Sequence, residues 1–326
     1  MNEPRRKWGW GLIGPGRFAR EFASELILND RARPVAVASR DPTRAREFAA
    51  DFGFEKSHDS YQALVDDPEV EIVYIVVPHV FHRGIAELAM RAGKAVVCEK
   101  PLTVNAAETR TLCELARERG VFLMEAMKTA FLPAIQRARQ WIAAGEIGDV
   151  KLIRADFCFS GPDDPNDRLM NPKLGGGCVL DVGIYPIFLS HFLGGKICDL
   201  KTTGHLTETG VEDTVAISLT HENGACSALT ASFQSHESMD AVILGTAGSI
   251  QIPKFHTAQT AILNRADGRS EMFEAEDSGM VGAEIEAVMG ALDAGHLECP
   301  GHPHQRSIRL AELMEMAIHQ IQSSKP

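Results

Sequence analysis

Apolar runs alternate with helix-spaced apolar positions through the first 126 residues. WGLIG (10–14) leads into Gly14-Pro15-Gly16-Arg17-Phe18-Ala19, after which Phe18, Phe22 and Leu26 recur at four-residue intervals, predicting strand, turn and helix. PVAVAS (34–39) predicts a second strand, with Asp41 as N-cap and Pro42 in the first turn of the next helix. EIVYIVV (71–77) reads as a third strand, FHRGIAELAMRAG as a helix ending at Gly93, and AVVCE (95–99) as a fourth strand. Asn105, with Glu108 three residues on, predicts another capped helix, and VFLMEA (121–126) a fifth strand. Continuous apolar strands separated by helices predict a parallel sheet covered on both faces, a doubly wound Rossmann α/β domain over 1–126.

From FLPAIQRARQWIAAGEIGDV (131–150) onward the alternation ceases. Strand-like segments follow at 150–160, 199–208, 212–220, 225–233, 239–245 and 258–264, with hairpin signals at Asn223-Gly224 and Asp267-Gly268. Amphipathic helices are predicted at 281–294 (Ile285, Val288, Met289, Leu292) and 304–322 (Ile308, Ala311, Met314, Ile318, Ile321). An α+β domain with a largely antiparallel open sheet is therefore expected over 127–326, its last helix a candidate to pack back on the first domain. The sheet face without helices needs cover from water or from a second copy.

Composition narrows the partners. A formal net charge of -11 over 326 residues argues against nucleic acid or an anionic membrane, which would repel such a surface. Seven scattered cysteines with no C-x-x-C pair suit reduced thiols in the cytoplasm. The pair Arg5-Arg6 before an apolar stretch resembles an export signal, but that stretch runs directly into the glycine motif, so the chain is read as unexported. Cys299, His302 and His304 have metal-ligand residue types, yet they lie in a Pro/Gly-broken loop without a fourth ligand nearby, and no metal is expected.

The chemistry should sit beyond the carboxyl ends of the parallel strands. From Gly11 the spacing is G-x-x-G-x-G-x-x-A: Gly14 for a tight bend, Gly16 for backbone approach to a pyrophosphate, and Arg17 and Phe18 opening the helix whose N-terminus holds the anion. An acidic residue past the second strand would hold the ribose hydroxyls of NAD; here stand Ser39 and Arg40, with Arg44 one turn on. A hydroxyl and guanidinium groups suit a 2′-phosphate, so NADP is expected, with NAD the alternative. Two further strand ends carry Pro78-His79 with His82, and Glu99-Lys100-Pro101. Pro101 fixes the backbone after Lys100 and halts the ladder, aiming the ammonium into the crevice; cis and trans Lys100-Pro101 bonds are both open.

With the glycine turn, Pro78-x-x-x-His82 and Glu99-Lys100-Pro101 in order, the chain resembles the Gfo/Idh/MocA oxidoreductases over essentially its whole length. LGGGCVLDVGIYPIFLSHFLGG (174–195) resembles the segment opening that family's substrate-side helix, with Asp181 and Tyr185 four apart on one face. Tyr185, the triple glycine and His79 resemble the branch of dimeric dihydrodiol and NADP-dependent D-xylose dehydrogenases, whereas Lys128 and Ala130 depart from it on the expected substrate side. The resemblance implies hydride transfer between nicotinamide and a sugar, polyol or vicinal diol, and a homodimer formed through the C-terminal sheet. Tyr185 would then be the general acid/base, with Lys100 as its charge partner and substrate-oxygen ligand, the reversed roles staying open. Asp181 would accept from a substrate hydroxyl or orient Lys100, while Glu99 would pair with Lys100 or touch the nicotinamide ribose. Two alternatives remain: a non-redox sugar-modifying enzyme using bound cofactor transiently, and a catalytically silent NAD(P)-binding regulator.

Overall fold

The computed structural model describes residues 6–276 and 279–323; Arg5, half of the arginine pair, lies outside them. The elements in chain order begin with β1 (Trp8–Ile13), α1 (Arg17–Leu26), β2 (Ala32–Ala38), α2 (Pro42–Phe52), β3 (Lys56–His58), α3 (Tyr61–Asp66) and β4 (Ile72–Ile75). Next come α4 (His82–Arg91), β5 (Ala95–Glu99), α5 (Ala106–Arg119), β6 (Leu123–Ala126), α6 (Pro133–Ala143), β7 (Val150–Ser160), α7 (Ile184–Gly194), β8 (Ile197–Leu206) and β9 (Glu212–His221). The chain closes with β10 (Cys226–Ser232), β11 (Gln234–Ser238), β12 (Ala241–Gly245), β13 (Gly248–Ile252), β14 (Thr260–Arg265), β15 (Ser270–Glu274), α8 (Gly282–Asp293) and α9 (His304–Ser323). Two compact units result, one running to Met127 together with Val281–Ile308, the other from Lys128 to Met280 with the chain from Arg309 onward. The expected split at 126/127 differs in one respect: α8, the loop after it and the first residues of α9 belong to the first unit.

In the first unit six parallel strands run in the order β3-β2-β1-β4-β5-β6, the doubly wound arrangement. β1, β4 and the first four residues of β5 are buried throughout, as strands covered on both faces must be. The caps form as the sequence predicts: Asp41 accepts from the amide of Thr43, and Asn105 from that of Glu108. The sheet has one strand more than the five expected. β3 is three polar residues, Lys-Ser-His, with no apolar run to announce it, and it is fixed by pairing with β2. α8 is tied into this unit at both ends: Glu25 of α1 accepts from the amides of Val281 and Gly282 at its N-terminus, and at its end Asp293 accepts from Trp8 Nε1, 3.0 Å away, and from Arg31.

The second unit holds a nine-stranded sheet in the order β15-β14-β13-β12-β7-β10-β9-β8, with β11 added alongside β7. Only β7 and β10 pair in parallel. Both predicted hairpins form, β9–β10 with Gly224 at φ 80° and β14–β15 with Gly268 at φ 87°, values open to glycine. Along β9 the even-numbered Thr214, Ala216, Ser218 and Thr220 are exposed and Val215, Ile217 and Leu219 buried, so one face is core and the other open. α7 lies in that core, only His191 along it being other than buried. The stretch Pro172–Gly194 is long and apolar enough to cross a membrane, a property its burial within the sheet core accounts for.

Candidate functional site

At the carboxyl ends of the first sheet, β1 gives way to the glycine turn. Gly14 has φ +98°, and a Cβ there would stand 2.4 Å from the Val76 carbonyl oxygen, so only glycine fits. Gly16 is the N-cap of α1 with no side-chain hydrogen bond at that position; a Cβ on it would approach no atom closer than 4.0 Å, leaving the backbone open to an anion. Arg17 is exposed and Phe18 half-buried at the head of the helix. Gly11, the first glycine of the motif, lies inside β1, where a Cβ would come within 2.8 Å of Val70 and 2.9 Å of Leu64. There it serves the packing of the strand against Leu64 of α3.

Past β2, the buried hydroxyl of Ser39 accepts from the amide of Asp41, starting α2. The Arg40 guanidinium stands over the Phe81 ring, 5.5 Å from its centroid. Arg44 donates to the Pro15 carbonyl at 3.1 Å, tying α2 to the glycine turn. Arg40, Tyr61, Pro78 and Phe81 are among the residues around a hollow of about 240 Å³. Neither Tyr61 nor Phe81 was singled out from sequence. Phe81, 40 % exposed at the end of the 3₁₀ turn after β4, stands in the sequence only as the first residue of the predicted helix FHRGIAELAMRAG.

Beyond β4, His79 opens a single 3₁₀ turn, buried, its ring 5.7 Å from that of His82. His82 is a correction. Expected to line the cofactor, it is fully buried, with Nε2 2.8 Å from the Val77 carbonyl oxygen and Nδ1 2.9 Å from that of Pro101. Both ring nitrogens face backbone, and none is left for a ligand.

The Glu99-Lys100-Pro101 turn is braced from three sides. Tyr74, buried and stacked on Phe22 at 3.6 Å, donates its hydroxyl to Glu99; burial first and the Glu99 charge second push that phenol well above its ordinary range. His82 meets the Pro101 carbonyl, and the Leu102 amide donates to Glu125 Oε1 at 2.8 Å. Lys100 itself is half-buried, and its bond to Pro101 is cis. Burial alone would raise the Glu125 carboxyl, yet the His302 ring, 3.0 Å away, the Ser307 hydroxyl and the Leu102 amide hold it below the usual carboxylate range. His302 Nε2 is engaged by Glu125 and His304 Nε2 by the Leu123 carbonyl, and among the described residues no group of three His, Cys, Asp or Glu side chains is placed to hold a metal ion.

In the second unit a π turn, Val179–Gly183, precedes α7 and carries Asp181. Asp181 is buried and accepts from Arg168 Nη1 at 2.9 Å. Tyr185, in the first turn of α7, packs at 5.3 Å from the Phe157 ring and edge-on at 5.9 Å from His256. Below them Glu212 accepts from the Val179 amide at 3.1 Å, and burial pushes its carboxyl up to about 7. Lys128 is buried with Nζ 3.8 Å from Met280 Sδ, beside the buried Ala130. Arg168, His256 and Glu212 escaped sequence reading because each acts across a loop or between strands.

The comparisons with known proteins decide the family. The family model "Oxidoreductase family, NAD-binding Rossmann fold" matches residues 8–127, and "GFO/IDH/MocA C-terminal domain" matches 135–251. The trans-1,2-dihydrobenzene-1,2-diol dehydrogenase of Mus musculus is 37% identical over 321 residues, 94% of this chain and 95% of that protein. The chain belongs to the Gfo/Idh/MocA oxidoreductase family. The enzyme of the same name from Sus scrofa is 40% identical over 247 residues, 74% of this chain and 73% of its own. Among solved structures, a 3-ketoreductase from Actinomadura kijaniata in complex with NADP and TDP-benzene superposes at TM-score 0.86 with 27% identity, covering 97% of this chain and 98% of that one. An aldose-aldose oxidoreductase from Caulobacter crescentus has TM-score 0.90 at 22% identity, covering 98% and 99%, a likeness of fold. Membership makes the chain a nicotinamide-dependent oxidoreductase, and the unhindered Gly16 and α1 N-terminus fit a dinucleotide phosphate.

Proposed function

We propose that the chain is an NADP-dependent dehydrogenase acting on a CH–OH group of a sugar, polyol or vicinal diol. The observation that carries the cofactor preference is Arg40 over Phe81 past β2, where a carboxylate would serve NAD. Arg44 adds a second positive charge and the Ser39 hydroxyl a donor for a 2′-phosphate, while Gly14, Gly16 and the amides of Arg17 and Phe18 receive the pyrophosphate. Pro78, His79 and Glu99 line the path to the nicotinamide. The substrate class is supported by the diol dehydrogenases of mouse and pig and by the NADP-bound 3-ketoreductase.

When bound, the nicotinamide supplies the hydride acceptor. The chain's own task is the hydroxyl proton. Tyr185 takes it; a phenol with its ordinary pKa of ~10 is a poor base at neutral pH, and the Lys100 ammonium favours the phenolate. Lys100 also donates to the substrate oxygen, and Asp181, held by Arg168, accepts from a neighbouring hydroxyl. The helix-free face of the second sheet, a trough of about 810 Å³ that includes Arg154, Asp156, Lys201 and Asp240, is where a second copy would dock to make a homodimer. The cytoplasm is the compartment that suits seven free cysteines.

Net reduction of NADP by a panel of pentoses, hexoses, anhydrosugars and cyclic diols, followed by nicotinamide absorbance, tests this reading. Product formed with no net change in cofactor would replace it with transient, non-redox use.

A further inference from the structure

His82 sits between two acceptors. The Val77 carbonyl oxygen lies 2.8 Å from Nε2 and the Pro101 carbonyl oxygen 2.9 Å from Nδ1, inside a fully buried site. A carbonyl oxygen only accepts, so each contact is a hydrogen bond only when the nitrogen bears a proton. Neutral imidazole has one N–H and one lone pair, and at this site it satisfies one carbonyl while aiming its lone pair at the other. The imidazolium alone donates to both.

The two carbonyls belong to the two rim segments that matter most. Val77 precedes Pro78-His79 past β4, and Pro101 follows Lys100 past β5. We infer that His82 is a proton-operated clasp: with a proton on each ring nitrogen it ties the Val77 and Pro101 segments together and so positions Lys100, and with one proton it releases one of them. The inference rests on the reading of Lys100 as a group that touches substrate. His82 acts only through Pro101, which makes it a positioning residue.

The groups around the ring set when the clasp closes. Burial is the largest influence and draws the ring below the ordinary histidine range; the Pro101 and Val77 carbonyls oppose it, the Lys100 ammonium adds to it, and Glu125 on β6 opposes it. His79 stands edge-on at 5.7 Å on the adjoining 3₁₀ turn. Acidification therefore closes the clasp and alkalinity opens it.

The test is an NMR titration of the full-length protein carrying ¹⁵N-labelled histidine, from about pH 8 down to the edge of the folded range. The His82 signals are assigned as those missing from His82→Gln. The expected result is one ring N–H at the alkaline end and two at the acid end, with the Leu102 amide shifting in step. A single ring N–H at every pH, two at every pH, or a Leu102 amide that ignores the change would overturn the clasp. In kinetics, the Gln amide reaches one carbonyl and does not titrate, so His82→Gln should lower kcat roughly tenfold to a hundredfold while leaving KM for the dinucleotide nearly unchanged and removing one limb of the pH profile. Unaltered kcat and pH profile would also count against it. The NMR experiment needs no substrate: if no sugar or diol is turned over, the proposed function fails while the clasp is judged separately, and if His82→Gln does not fold the His82 ring signals are assigned by backbone-to-ring correlation in the parent protein, whose titration decides.

Discussion

The amide of Leu102 donates to Glu125 Oε1 at 2.8 Å, so the turn bearing Lys100 hangs on a carboxylate of the neighbouring strand. That carboxylate is in turn held by His302, 177 residues further along the chain. Glu125→Ala strands a buried ring and a buried amide together, and should cost ~3–5 kcal/mol in denaturant unfolding. Glu125→Gln keeps an acceptor for Leu102 and should cost ~1–2 kcal/mol. Because the folded carboxyl lies below its ordinary range, this stabilisation is complete above that range and is lost as pH falls through the lowered value. Two variants indistinguishable from the parent would remove the brace.

Gly14 and Gly16 should part company on substitution. Gly14→Ala forces a Cβ to 2.4 Å from the Val76 oxygen at φ +98°, and should lower stability by ~2 kcal/mol or more. Gly16→Ala meets no protein atom closer than 4.0 Å and should unfold within ~0.5 kcal/mol of the parent while binding the dinucleotide more weakly. Thermal unfolding and titration calorimetry of both variants check this pair.

Arg40→Ala should weaken NADP by roughly tenfold to a hundredfold, the worth of a charge-assisted contact, and NAD far less. Binding isotherms for the two cofactors decide it; equal losses would remove the 2′-phosphate contact.

Glu212 should make the second unit lose stability as pH rises from mildly acidic to neutral. Its carboxyl ionises at about 7 when folded and in the ordinary range when unfolded, so between those values only the folded protein holds the proton. Stability therefore falls as pH rises through that window, by ~3 kcal/mol in all. Glu212→Gln preserves the acceptor for Val179, and its advantage over the parent should grow by ~2–3 kcal/mol from about pH 5 to about pH 8. A pH-independent difference would contradict the assignment.

What was legible in the sequence was local. Asp41 and Asn105 announce their helices, Gly224 and Gly268 their hairpins, and the apolar runs of β1, β4 and β5 their burial, because each signal lies within a few residues of what it controls. β3 is too short and polar to declare itself without its partner strand. Glu125–His302, Glu25 at the head of α8 and Arg40–Phe81 are pairings made by the fold, between residues whose types alone suggest solvated surface. His82 shows the converse: its place in a motif suggested a ligand contact, and its two carbonyl partners turn it into scaffold.

The central claim is that the Lys100 ammonium and the Tyr185 phenol together move the substrate proton. Steady-state kcat of the parent, Lys100→Met and Tyr185→Phe, at saturating cofactor and on whichever sugar or diol the parent oxidises, tests it most directly. Each variant should lose about a hundredfold or more in kcat with dinucleotide affinity largely kept; a variant that turns over at the parental rate would contradict the claim.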